Sequence, residues 1–278
     1  MDDEPVRSQA ARAAAELALV RVVHQYGERP EFVVLGGLVP QLLCSDAGVA
    51  HAGTTDIDVQ VDLEIAGEVV NTRRLEQALR NAEFVPDRER VWRWATVADG
   101  VRAVVKFELL VDLDTEPAGA TVIFDDCDQL GAANLRGTGF AARDVEVRRI
   151  SARDGGVWRT VEVNVTGLAG FLLAKVAAAH GRRKAKDWYD IAFVLLHNDA
   201  GGPRAAVQLV LDTFGADLGG LTAALQDLAA NFSDPRAQGP SAYAEQFGID
   251  HPDDEDSSTL AADALVAAET FCQALLRH

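Results

Sequence analysis

From Asp56 to Leu63 the chain reads DIDVQVDL, and polar and apolar residues alternate without a break. A period of two belongs to a strand, because successive side chains leave the pleat on opposite sides. Asp56, Asp58, Gln60 and Asp62 therefore share one face, and Ile57, Val59, Val61 and Leu63 share the other. The chain must build a sheet that buries the apolar face. Carboxylates two residues apart on one strand face are either a solvated polar surface or ligands for divalent cations.

The flanking segments extend the sheet. Residues 8–26 carry Ala, Leu and Val at helical spacing and stop at Gly27, which reads as a helix ended by glycine. FVVLG (32–36) is a short apolar strand running into Gly36-Gly37, and a short helix from Leu38 to Cys44 follows. Pro40 fits its first turn, where N–H groups have no intrahelical acceptor. Gly36-Gly37 is either a plain strand-to-helix turn or a place where backbone and helix N-terminus approach a phosphate. Residues 45–53 read as a loop and 71–82 as a helix. RVWRWATV (90–97) and RAVVKFELLVD (102–112) read as strands. In the second, Ala103, Val105, Phe107, Leu109 and Val111 form the apolar face, opposite Lys106, Glu108 and Asp112. A third cation ligand would come from this neighbouring strand, with Glu108 the candidate and Asp112 the alternative. Residues 144–165 form a hairpin around Asp154-Gly155-Gly156.

Beyond residue 166 the pattern turns helical. Thr166 can cap a helix from Gly167 to His180, ended by Gly181, and Lys186–His197 is the next helix, broken at Gly201-Gly202-Pro203. Further helices fall at 204–213, 218–231 and 259–277. The Gly/Pro/Asp-rich stretch between the last two, with the acidic run Asp253 to Asp256, reads as a mobile loop. The expected fold is α+β, with a mixed-sheet domain over 1–165 and a helical domain over 166–278.

Three features of the helical half stand out. Lys175 falls within the apolar stripe of Leu168, Phe171, Leu172, Val176 and Ala179. Its ammonium either snorkels to the edge or faces a cleft that holds an anion. Asp190 is surrounded by Ile191, Phe193 and Val194, so it is either functional or part of a buried ion pair, since a lone buried carboxylate is costly. Asp187 lies three residues before it, in a first turn whose dipole favours an acid. The connector HGRRKAK (180–186), which includes Arg183, is either a charged helix end or a grip on phosphates.

The chain has 278 residues and 43 acidic against 26 basic side chains, a net charge of −17. Such a chain does not bind nucleic acid through its overall field, so a polyanion must be met locally or through cations. Cys44, Cys127 and Cys272 are widely spaced and read as reduced thiols. No apolar run approaches the roughly 20 residues of a membrane span. The acidic start, MDDEPVRSQA, is unlike a signal peptide. These features point to the cytoplasm, with no membrane partner.

Gly36-Gly37 followed by TTDIDVQVD resembles the signature of the DNA-polymerase-β-like nucleotidyltransferases. LLAKVAAAHGRRKAKDWYDIAFVL resembles the lysine and KDxxD motifs of AbiEii/MenT-type nucleotidyltransferases, the toxins of type IV toxin–antitoxin systems. The resemblance covers roughly residues 30–200. It implies a nucleotidyltransferase domain followed by a helical one. It makes Asp56 and Asp58 ligands for Mg2+, one ion or two, with Glu108 the third ligand from the strand argument. Lys175 would contact the triphosphate, Asp190 would be a catalytic carboxylate, and Asp187, Gly36 and Gly37 would belong to the nucleotide site. Many members carry Gly-Ser where this chain has Gly36-Gly37. The implied substrate is an NTP, the acceptor tRNA or another RNA, and the protein partner a cognate antitoxin. Two other functions share the motifs: transfer to a small molecule such as an antibiotic, and non-enzymatic nucleotide binding.

Overall fold

The computed structural model of the chain describes residues 7–61, 72–97, 104–252 and 256–278. The expectations for Asp62, Leu63, Ala103 and residues 253–255 lie outside the described residues. The fold is α+β with a mixed sheet. No helix among the described residues is long and apolar enough to cross a membrane. The chain forms two compact units: Met1–Val39 with Gly53–Thr166, and Pro40–Ala52 with Gly167–His278. The sequence puts one boundary near residue 165 and leaves 40–52 in the first domain; the structure gives that segment to the second unit.

In the first unit, α1 (Gln9–Tyr26) begins where Ser8 Oγ accepts the Ala11 N–H at 3.0 Å and ends at Gly27, at φ +89°. The sheet comprises β1 (Val33–Leu35), β2 (Asp56–Gln60), β3 (Val85–Pro86), β4 (Arg93–Val97), β5 (Val104–Val111), β6 (Thr121–Ile123), β7 (Gly131–Asn134), β8 (Val145–Asp154) and β9 (Val157–Thr166). Its order is β3-β4-β5-β2-β1-β9-β8, with β7 beside the end of β5 and β6 beside β7. β2 runs parallel to β5 and β1 parallel to β9, whereas β1–β2, β4–β5 and β8–β9 are antiparallel.

Register places Val34, Val59 and Leu109 in one row, and Ile57, Phe107 and Trp94 in another. All six are buried, and Phe107 takes the Phe32 and Phe84 rings edge-on at 5.8 and 6.0 Å. Each such side chain contributes roughly 1.5–3 kcal/mol on burial. A slip of one residue would drive Asp56 and Asp58 into this core, so the apolar rows fix where the acids stand. The opposite face is not simply solvated, since Asp56 and Gln60 are buried too. Besides α1, the described helices before the helical half are a 3-10 turn at Gly36–Leu38, α2 (Val39–Leu43), α3 (Thr72–Asn81) and α4 (Gly139–Arg143).

The second unit contains α5 (Leu168–Arg182), α6 (Ala185–His197), α7 (Pro203–Phe214), α8 (Thr222–Asn231), α9 (Gln238–Asp250) and α10 (Ser257–Leu275). Its axis is α6, buried from Asp187 to Leu195 and packed by α5, α9 and α10. Two helix ends differ from expectation. Thr166 is the last residue of β9 and buried there, so Gly167 precedes α5 without a side-chain cap. Gly181 does not stop α5, which runs on to Arg182 and ends at Arg183 (φ +48°), whose N–H donates to the Ala179 carbonyl at 2.9 Å. A glycine within a helix costs only about 1 kcal/mol and does not by itself end one.

The stretch expected as a loop holds α9. Its Gly239 and Pro240 lie in the first turn, where proline breaks no intrahelical bond, and Tyr243, Ala244 and Phe247 are buried one turn on. Segment Pro40–Ala52 is tied down by polar contacts within the same unit. Asp199 accepts the Ser45 N–H at 3.0 Å, the Ser45 hydroxyl at 2.7 Å and the Asp46 N–H at 2.9 Å. The Tyr189 hydroxyl accepts the Ala52 N–H at 3.1 Å.

Candidate functional site

The in-register parallel pairing of β2 and β5 sets Asp58 beside Glu108 and Asp56 beside Lys106. β4 extends the first row by setting Arg93 beside Glu108. Residues directly paired across strands point to the same side, so Asp56, Asp58, Glu108, Lys106 and Arg93 share one sheet face. Arg93 Nε donates to Glu108 Oε1 at 2.6 Å, and its guanidinium lies 4.9 Å from the Trp92 ring centre. Lys106 Nζ stands 3.8 Å from Asp56 Oδ1.

The cluster holds more negative charge than its cations answer. Asp56 Oδ1 is buried and has no hydrogen-bond partner among the described residues. Burial, and then the Asp58 charge, push the Glu108 carboxyl up to about 7; Arg93 pulls it back only in part, and Asp56 adds to the rise. Gly36, at φ +77°, faces this site, and a Cβ there would stand 2.0 Å from Asp58 Oδ2. A Cβ on Gly37 would stand 2.8 Å from Thr54 Cγ2, and Thr54 Oγ1 accepts the Asp56 N–H at 3.0 Å. Both glycines are thus required by close approach to the acidic strand, whatever else they bind.

Of the two candidates for the third carboxylate, Glu108 adjoins Asp58. Asp112 is occupied elsewhere: its Oδ2 accepts the Gly137 and Gly139 N–H groups at 2.8 and 3.0 Å, where the chain turns into α4. No group of three or more His, Cys, Asp or Glu side chains among the described residues is arranged to hold a metal ion. At this cluster Glu108 Oε1 is engaged by Arg93. The donors nevertheless fit a divalent cation. All are hard oxygens, one is buried without a hydrogen-bond partner among the described residues, and the repulsion that adds to the effect of burial at Glu108 is what a cation relieves.

The second unit holds the other expected residues. Lys175 is not a cleft lysine; it is 6% exposed, and its Nζ donates to Asp190 Oδ2 at 2.7 Å and Asp187 Oδ1 at 3.2 Å. Burial alone would lower the Lys175 pKa, but Asp190 and then Asp187 hold it above the ordinary lysine value. Burial would raise Asp187, but Lys175 and then Arg182, which donates twice at 2.7 Å, hold it below the usual carboxylate range. Asp190 Oδ1 meets His51 Nε2 at 2.9 Å. Arg183, expected to grip phosphate, donates to Asp227 Oδ1 at 2.6 Å. The buried-ion-pair alternative for Asp190 therefore describes the structure, with Lys175 and His51 as the partners.

Arg93 and His51 escaped the sequence reading. Arg93 carried a usable signal, since alternation in RVWRWATV sets it opposite the buried Trp94. His51 carried none, because it sits in a loop far in sequence from Asp190. The sequence matches no family model and no curated protein.

Proposed function

We propose that the chain is a Mg2+-dependent nucleotidyltransferase that moves a nucleoside monophosphate from an NTP to an RNA acceptor, most naturally tRNA, as a toxin-like enzyme with a cognate antitoxin. The observation that carries the chemistry is the in-register row Asp58–Glu108 with Asp56 beside it and the buried Asp56 Oδ1 left without a hydrogen bond among the described residues. The RNA acceptor and the antitoxin rest on the motif resemblance. Asp56, Asp58 and Glu108 would hold the cation. Bound there, it supplies charge neutralisation for the triphosphate and the departing pyrophosphate, and acidifies the attacking hydroxyl.

The chain's own groups have separable tasks. Gly36 and Gly37 let the backbone lie against Asp58 and Thr54 where a side chain would clash, which holds the acidic strand in place. Lys106 and Arg93 supply positive charge at the rim of the carboxylates. The acceptor hydroxyl oxygen bonds to the α-phosphorus, the bond to the bridging oxygen of pyrophosphate breaks, and the hydroxyl proton leaves to solvent. In this reading Lys175, Asp187 and Asp190 hold α5 against α6, and the carboxylates of the sheet carry the reaction.

The test is incubation with each labelled NTP, Mg2+ and total tRNA. Label on RNA is the expected result, lost in Asp58→Ala with its circular dichroism unchanged. Full transfer by Asp58→Ala rejects the site. The net charge of −17 favours a second reading, a small-molecule acceptor; label on an aminoglycoside with none on RNA would establish it.

A further inference from the structure

We propose that Arg93 is the resident counter-ion of the site: it holds Glu108 until a divalent cation binds, and then turns to the triphosphate. The inference rests on the reading of Asp56, Asp58 and Glu108 as a cation and nucleotide site. Its starting point is a conflict of occupancy. Glu108 is the carboxylate best placed to join Asp58, yet its Oε1 is already taken at 2.6 Å by Arg93. Both side chains are largely buried, at 16% and 14% exposed, so the pair is shielded from solvent. Guanidinium and divalent cation are both positive and compete for the charge of that carboxylate, so the arrival of the cation weakens the hold on Arg93.

The local geometry makes departure feasible. Arg93 engages Glu108 through Nε, one of its five side-chain N–H groups, and its side chain makes no other hydrogen bond among the described residues. The fork that suits a phosphate is thus not committed to the carboxylate. The Trp92 ring, 4.9 Å from the guanidinium, offers a face along which the plane can turn without losing its contact. Lys106 is no substitute, because it lies in the neighbouring row beside Asp56 and not beside Glu108. With Arg93 in place the acids are partly balanced and the sheet face is stable without metal. When the cation takes over Glu108, the released guanidinium stands where an incoming polyanion needs it.

The experiment uses the full chain without nucleotide, with Mn2+ as the probe and free Mn2+ read by electron paramagnetic resonance. Arg93→Gln should bind Mn2+ about tenfold tighter than the parent, since a competitor is removed. With Mn2+ saturating, the same variant should bind a non-hydrolysable NTP analogue about tenfold more weakly. Arg93→Lys keeps a charge but not the fork; it should leave Mn2+ affinity closer to the parent and still weaken the analogue. A residue that merely supports the strand would not shift the two affinities in opposite directions. Mn2+ affinity unchanged or lowered in Arg93→Gln overturns the proposal, as does unchanged affinity for the analogue. Asp58→Asn separates the two layers. Mn2+ binding that survives it defeats the reading of the site itself; Mn2+ binding that vanishes in it, with both Arg93 variants at parental affinity, defeats only the role of Arg93.

Discussion

Glu108 makes the charge state of the site visible as stability. Its carboxyl rises from 4.5 to about 7 because of burial first and Asp58 second. A raised folded-state value means that the folded form holds the proton more tightly. The contribution is full below about 4.5 and is lost as pH rises through about 7. Glu108→Gln should therefore stabilise the fold at pH 8 by on the order of 1–3 kcal/mol, read as a higher melting temperature, and bring little gain at pH 5. Added Mg2+ should narrow the difference at pH 8 by stabilising the parent alone; an equal rise in both proteins would count against Glu108 as a ligand. Lys175 gives the opposite kind of prediction. Its removal leaves Asp190 and Asp187 buried with fewer partners, which costs on the order of 3–5 kcal/mol, towards the lower end because His51 and Arg182 remain. Lys175→Ala should melt well below the parent in calorimetry, and a parental melting temperature with weakened NTP binding would restore a direct nucleotide contact. The Asp pair was legible because alternation alone fixes a face. The state of Lys175 was not, because the same apolar stripe fits a buried pair or a cleft wall.

Long periodic elements were readable and short or context-made ones were not. α1, β2, the β8–β9 hairpin and α6 follow from spacing and glycine. β3, β6, β7 and α4 span too few residues to show a period, and the three strands exist because neighbouring strands share their hydrogen bonds. α9 was hidden by its own composition. The Gly-Pro pair that suggested a loop opens the helix, and Gly239 is there because a Cβ would stand 2.2 Å from the Phe232 ring. Phe232 is 2% exposed and stacks edge-on with Trp188 at 6.3 Å, so the ring has little freedom to yield. Gly239→Ala should thus destabilise by about 1–3 kcal/mol through overpacking, although alanine is the better helix former. A chemical denaturation midpoint equal to or above the parent's would show that the ring moves aside.

The net charge of −17 bears on how any RNA acceptor is met. Several basic side chains are already committed to acids, including Arg21, Arg93, Arg149, Arg159, Arg182 and Arg183. A protein with six to ten phosphate contacts loses roughly 10³–10⁵ in affinity between about 50 and 200 mM salt. Binding of tRNA here should fall less than about tenfold over that range, as read by filter binding; a steep slope would reveal a basic track that net charge conceals. At this scale the sequence showed the change from sheet to helices but not the threading, because nothing in residues 40–52 marks them as belonging with helices more than a hundred positions away. Ser45, His51 and Ala52 find their partners in Asp199, Asp190 and Tyr189. During synthesis that segment therefore leaves the ribosome long before anything it can bind has been made. The first unit must assemble around a strand-to-strand excursion that stays loose until α6 emerges. A nascent chain stalled before residue 185 should be cut by protease within 40–52, and a finished one should not. The timing of translation is thus written into the threading.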